Sequence, residues 1–161
     1  MEDGRLRTRA IALWQQAYRA HMEGDLERAI ELYTRSIELS PTAEAYTFRG
    51  WAYGHLGRTD DAIVECHKAI EIDPDFGNPY NDIGAYLMAK GQLDEAIGWF
   101  ERAKQARRYE PRHFPFMNLG RVYKTKGMVK RAIEEFEGAL RFAPEDPFCR
   151  RELAELLGML N

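Results

Sequence analysis

The chain has 161 residues, the length of one ordinary domain, with 45% hydrophobic residues for a core and 30% charged residues suited to amphipathic helices. A formal net charge of −3 excludes the overall cationic excess of a protein that coats nucleic acid. Cys66 and Cys149 lie far apart without a CxxC spacing, which excludes a disulfide framework and favours a reducing compartment. Residues 1–20 are charged and lack an unbroken apolar stretch, so a signal peptide is not expected there. No run of about 18 apolar residues offers a membrane span, and a cytoplasmic location is expected.

Residues 10–42 read as a helical hairpin: Leu13, Ala17 and Ala20 precede a break at Gly24, and Ala29, Tyr33 and Ser36 lead to Pro41. Residues 43–76 repeat the plan. Tyr46, Gly50 and Tyr53 share one helical face, Gly57 breaks it, and Thr59 or Asp60 is expected to cap a second helix. Ala62, Ile63, Cys66, Ala69 and Ile70 form that helix's apolar face until Pro74, whose ring cannot continue it. Residues 77–110 carry Tyr80, Ile83, Gly84 and Leu87 before Gly91, then Ala96, Phe100 and Ala103. Residues 113–145 carry Phe116, Leu119, Gly120 and Tyr123 before Gly127, then Ala132, Phe136, Ala139 and Pro144.

One helix remains, over residues 146–160. Phe148, Leu153, Leu156, Leu157 and Leu160 are expected on its packed side, with Arg150, Arg151, Glu152 and Glu155 largely opposite. That is the form of a terminal cap on a stack of repeats. A membrane-surface helix is the sharper alternative, but the segment is short and mixed in charge.

The period is the strongest signal. The alanines that follow the four break glycines, Ala29, Ala62, Ala96 and Ala132, are spaced 33, 34 and 36 residues apart. Such a spacing means stacked copies of one supersecondary unit. Small residues at Ala17, Gly50, Gly84 and Gly120 face them and allow close helix approach.

In these residues the chain resembles the tetratricopeptide repeat family, with its W-x2-L-G-x2-Y, A-x3-F and P signature, most fully in the fourth unit. The resemblance covers residues 10–144. It implies an all-α fold: a single domain over 1–161, built as a right-handed superhelical solenoid of four helical hairpins plus the capping helix. It also implies that the first helix of each hairpin lines a concave groove.

Carried over position by position, the groove-facing residues are Trp14, Gln15, Tyr18, His21 and Met22 in the first unit, and Glu44, Thr47, Phe48, Trp51 and His55 in the second. The third contributes Asn78, Asn81, Asp82, Ala85 and Met88, and the fourth Phe114, Met117, Asn118, Arg121 and Lys124. Trp14, Tyr18, Phe48, Trp51, Met88, Phe114 and Met117 would make an apolar strip of the kind that marks interaction sites. Some of them, Trp14 and Trp51 in particular, are alternatively gap-fillers between helices, and Trp14 has a further alternative in self-association. Asn78, Asn81 and Asn118 are expected to hydrogen-bond a partner backbone beside Asp82, and Arg121 and Lys124 to pair with a partner's acid.

The two-cation, multiple-asparagine clamp that some members use for a C-terminal carboxylate is not matched. Its places hold Trp14, Tyr18, Phe48, Asn78 and Asp82, and neither aromatics nor an acid can replace cations around a carboxylate.

Residues 102–131 hold ten cations against one acid, Glu110, and include the one lengthened junction between units. A solvated basic face, an acidic protein partner and a nucleic-acid backbone are the competing readings.

Catalysis finds no support. The four histidines lack ligand spacing, Cys66 and His67 point about 100° apart on a helix, and every short glycine motif belongs to the repeat. No enzyme activity, metal or cofactor is expected. The expected function is an adaptor or scaffold that binds a peptide or amphipathic segment of a partner protein in the groove. The alternatives are a small assembly or secretion chaperone, nucleic-acid binding through 102–131, and self-assembly through Leu32 and Trp99 on the convex side.

Overall fold

The computed structural model describes all 161 residues. Nine helices follow one another: α1 (Glu2–Met22), α2 (Leu26–Leu39), α3 (Ala43–His55), α4 (Thr59–Ile72), α5 (Asn78–Ala89), α6 (Leu93–Gln105), α7 (His113–Thr125), α8 (Val129–Phe142) and α9 (Pro147–Met159). They pair in order as four hairpins, with α9 packed against α8. The fold is an all-α superhelix of stacked hairpins.

The glycine-to-alanine spacing has a direct physical cause. Gly24, Gly57, Gly91 and Gly127 take φ values of 86°, 79°, 78° and 74°, the left-handed region that costs glycine nothing. The amide of the next residue, Asp25, Arg58, Gln92 or Met128, then donates 2.9 Å back to the carbonyl of Ala20, Tyr53, Leu87 or Tyr123. The same residue's carbonyl accepts from the amide of Ala29, Ala62, Ala96 or Ala132, closing the first turn of the second helix. Helix end, reversal and helix start thus occupy a fixed length of chain. Because backbone groups do this work, the expected cap on α4 is corrected: neither Thr59 nor Asp60 caps the helix, and both lie inside its first turn after Arg58, which makes no side-chain cap.

Small residues set the hairpin spacing. Ala17, Ala29, Ala62, Ala96 and Ala132 have no exposed surface. A Cβ on Gly84 would lie 2.6 Å from Phe100, and one on Gly120 would lie 2.7 Å from Phe136. In the second hairpin Cys66 replaces that aromatic, and a Cβ on Gly50 would instead meet the backbone carbonyl of Ala62 at 3.1 Å. Arg49 donates to Glu65 at 2.7 Å across the same hairpin, which accounts for a fully enclosed acid that the apolar pattern did not reveal.

Curvature follows from which helices meet between units. The first helices touch in sequence, α1 with α3, α3 with α5 and α5 with α7, whereas the second helices meet one another marginally at most. The first helices therefore form the inner face. One large core joins α4 to α9, and a smaller one joins α1, α2 and α3.

Two details correct the sequence reading. Leu32 is 3% exposed, and Trp99 is half-buried beneath Arg102 at 4.4 Å, so neither offers a bare convex contact. On α9, Cys149, Leu153 and Leu156 pack inward, while Leu157 and Leu160 are exposed. The inward stripe runs at i, i+4 and i+7, and both leucines fall beside it.

Candidate functional site: an aromatic groove on the inner face

The first wall of the groove comes from helical periodicity on α1 and α3. Trp14 and Tyr18 are one turn apart and stack with ring centroids 5.7 Å apart. Phe48 meets them edge-on, at 5.2 Å from Trp14 and 5.7 Å from Tyr18. Trp51 continues the row, 5.7 Å from Phe48 and 4.9 Å from His21. These edge-to-face and offset contacts hold each ring in place through its neighbours. Even so, Tyr18 and Trp51 remain 38% and 37% exposed.

The cavity in front of this wall has a volume of about 440 Å³. Asn78, Asn81 and Asp82 of α5 form its floor, and Phe114 of α7 stands on the far side. The remaining wall is Tyr109, Glu110 and Pro111, which the sequence reading passed over. Residues 106–112 reach this place because Arg108 donates its amide to the Asp75 carbonyl and accepts at its own carbonyl from Gly77, both at 2.9 Å. The Tyr109 ring lies so close to Gly77 that a Cβ there would sit 2.5 Å from it. The junction's extra length was visible in the sequence; its path along the groove depends on those distant backbone bonds.

Thirteen residues were expected to bind a partner, and they separate into two sets. Tyr18, Phe48, Trp51, Asn78, Asn81, Asp82 and Phe114 border the one cavity. Trp14 anchors the aromatic row but faces a separate cleft of about 280 Å³, and its indole nitrogen, buried there, has no acceptor. Met88 and Met117 pack against the large core instead. Asn118 donates to Asn81 at 3.1 Å, so each amide has one group occupied within the protein. Lys124 is held by Glu152 at 2.7 Å and Glu155 at 3.1 Å of α9, which corrects its expected availability for a partner's acid. Arg121 is exposed, outside the cavity, with Asn118 at 3.4 Å.

Two other groove positions are buried, and Thr47 of the two still borders the cavity. His21 is buried, with one ring nitrogen 3.3 Å from the Tyr33 hydroxyl and the other 2.9 Å from His55. Burial, and then His55, lower its pKa. Thr47 is buried and donates its hydroxyl to the Ala43 carbonyl at 2.7 Å.

The electrostatics of the floor are unusual. Asp82 is partly buried, and burial pushes its carboxyl up to about 7. By contrast, the cations of residues 102–131 are largely engaged. Lys104 is 2.8 Å from Glu135, Arg108 bridges Glu44 and Asp73 at 2.6 Å each, Lys126 pairs with Asp94, and Arg112 donates to two backbone carbonyls. Arg131 lies over the Tyr123 ring at 5.4 Å.

Neither cysteine is poised as a nucleophile, since burial pushes the Cys149 thiol up to about 12 and Cys66 well above its ordinary value. No three ligating side chains cluster as a metal site would require. No helix is long and apolar enough to cross a membrane.

Comparison with known proteins gives a consistent result. Family models of the tetratricopeptide repeat match residues 9–44, 43–76, 80–108 and 116–146. The chain is similar to heat shock protein STI1 of Saccharomyces cerevisiae, 34% identical over 91 residues, covering 55% of this chain and 15% of that protein. It is 46% identical to sperm-associated antigen 1 of Mus musculus over 137 residues, covering 85% and 11%. Among solved structures, that of pilF from Pseudomonas aeruginosa is 25% identical and superposes with a TM-score of 0.88 over 99% of this chain and 71% of that one. The chain spans between 11% and 30% of the length of the curated relatives it matches.

Proposed function

Because the chain belongs to the tetratricopeptide repeat family, we propose that its inner face is a docking groove for a segment of another protein, which makes it an adaptor and not a catalyst. The observation that carries this reading is the row of aromatic rings Tyr18, Phe48 and Trp51, backed by Trp14 and open along a cavity of about 440 Å³. A solvent-facing apolar strip of this extent is characteristic of interaction sites, and aromatic anchors are where interface energy concentrates.

The wall is also preorganised. Phe48 is held edge-on by Trp14, Tyr18 and Trp51, so docking does not have to freeze it first. Apolar side chains of the partner lie against Phe48, Trp51 and Phe114, and Asn78 with the unengaged amide of Asn81 meets the partner backbone. An amphipathic helix or an extended strand of peptide fits such a trough. Similarity to a protein named as a heat shock protein supports a role among proteins. Two buried, unpaired cysteines support a reducing, cytoplasmic setting.

The test uses random dodecapeptides displayed on phage and selected on the full chain. Replacing Phe48→Ala together with Trp51→Ala should weaken the selected peptides by about 30-fold or more, with helical circular dichroism retained. Unchanged affinity in a folded double variant refutes the groove.

A further inference from the structure

We infer that the groove receives a cationic side chain: its occupant is a partner segment that presents one lysine or arginine among apolar residues. This rests on the docking groove proposed above and adds the chemistry of its centre.

Asp82 stands on the floor of the cavity, and no ammonium, guanidinium, amide or hydroxyl of the protein reaches its carboxylate. The titratable groups around it are Cys66 of α4, Tyr86 of its own helix and Tyr109 of the junction, none of them a cation. A second acid, Glu110, borders the same space, and no lysine or arginine does. The isolation is not for want of cations. Ten lie in residues 102–131, and Lys104, Arg108, Lys124 and Lys126 are each paired with an acid elsewhere.

Acidic, apolar and basic occupants differ sharply in this setting, and a neutral donor would supply a hydrogen bond without the charge that Asp82 and Glu110 favour. An acidic side chain would meet two carboxylates and be repelled. A wholly apolar segment would strip the remaining water from Asp82 and force it to bind a proton, with no hydrogen-bond partner for the covered carboxyl in return. A lysine or arginine gains a charge-assisted hydrogen bond to a carboxylate already partly desolvated. It also gains the aromatic lining of Tyr18, Phe48, Trp51 and Phe114, residue types whose ring faces attract cations. The groove is an aromatic enclosure with an acid at its base.

The same displayed dodecapeptides decide the matter when selected in parallel on the wild-type chain, on Asp82→Asn, on the exposed-loop variant Glu110→Gln and on the Phe48→Ala, Trp51→Ala chain. Wild-type pools should be enriched in lysine or arginine flanked by apolar residues. That basic preference should vanish on Asp82→Asn, which is nearly isosteric, and weaken on Glu110→Gln. A selected peptide should lose about tenfold in affinity when Asp82 is neutralised or when its own cation is changed to glutamate. Pools that depend on Phe48 and Trp51 yet show no basic preference, or an acidic one, overturn this inference and leave the groove standing. Pools indifferent to Phe48 and Trp51 overturn the groove itself.

Discussion

Residues 102–131 and the groove floor invert what their compositions promise. The first is rich in cations, with ten against one acid, yet Lys104, Arg108, Lys124 and Lys126 are each paired with an acid of the chain itself. Lys104 joins α6 to α8, Arg108 ties the junction to the start of α3 and the end of α4, and Lys124 pins α9. The groove floor holds one recessed carboxylate, Asp82, and leaves it without a partner. Charge density along a sequence therefore says little about function. An ionisable group that the fold declines to satisfy says more, because leaving it desolvated and unpaired is costly, and such groups cluster at functional sites.

The largest expected effect tests the floor. The Asp82 carboxyl has a folded-state pKa near 7, above its ordinary value of 3.8. The folded chain thus holds the proton more tightly than the unfolded one between those values, and stability attributable to this group falls as pH rises through that window. Asp82→Asn should accordingly raise stability by ~2 kcal/mol at pH 8, discounted for the side of the carboxylate that still meets water. The gain should shrink toward zero as pH falls to about 4. Thermal unfolding of both chains across that range is the measurement, and subtraction cancels contributions common to the two, that of His21 included. A variant no more stable than wild type at pH 8 would mean that Asp82 is satisfied and the contrast with the basic stretch is false.

Much of the fold was legible because it rests on local, repeated chemistry. The four left-handed glycines and the alanines that follow them mark each turn, and Gly84 with Phe100 and Gly120 with Phe136 mark the packing contact of the third and fourth hairpins. Phe48 and Trp51 share a face of α3 at helical spacing, and Tyr18 on α1 was placed beside them by the resemblance to the family, whose first helices line one groove. The third wall of the groove was not. Tyr109, Glu110 and Pro111 are positioned by backbone bonds to Asp75 and Gly77, some thirty residues earlier, and no periodicity encodes such a path. The ion pairs were equally hidden: Arg108 meets Glu44 and Lys124 meets Glu152 across separations that only the stacked repeats bring together. His21 was misplaced because a helical wheel cannot anticipate the hydroxyl of Tyr33 waiting behind it.

A smaller effect tests the junction. Arg108 pairs with Glu44 and Asp73 and lies 4.3 Å above the Phe76 ring, but it is half exposed, so Arg108→Ala should cost no more than about 1 kcal/mol. Its more informative consequence is local. Hydrogen exchange of the Gly77 amide, which donates to the Arg108 carbonyl, should accelerate as residues 106–112 loosen. Exchange unchanged at Gly77 would show that the backbone bonds hold the junction without the side chain.

The smallest effect, none on peptide binding, is the sharpest test of the basic stretch. Lys124 was expected to serve a partner and instead bridges Glu152 and Glu155 on α9. Glu155 is exposed and Lys124 with Glu152 only partly covered, and ion pairs at the surface contribute little, so Lys124→Ala should lower stability by no more than about 1 kcal/mol. Groove-selected peptides should bind it as they bind the wild type, with the same dependence on salt. Lys124 can matter to a partner only by leaving α9, which would set Glu152 and Glu155 free beside each other. A tenfold loss of peptide affinity with stability intact would establish that exchange, and would move the binding surface from the aromatic wall to the fourth hairpin and its cap.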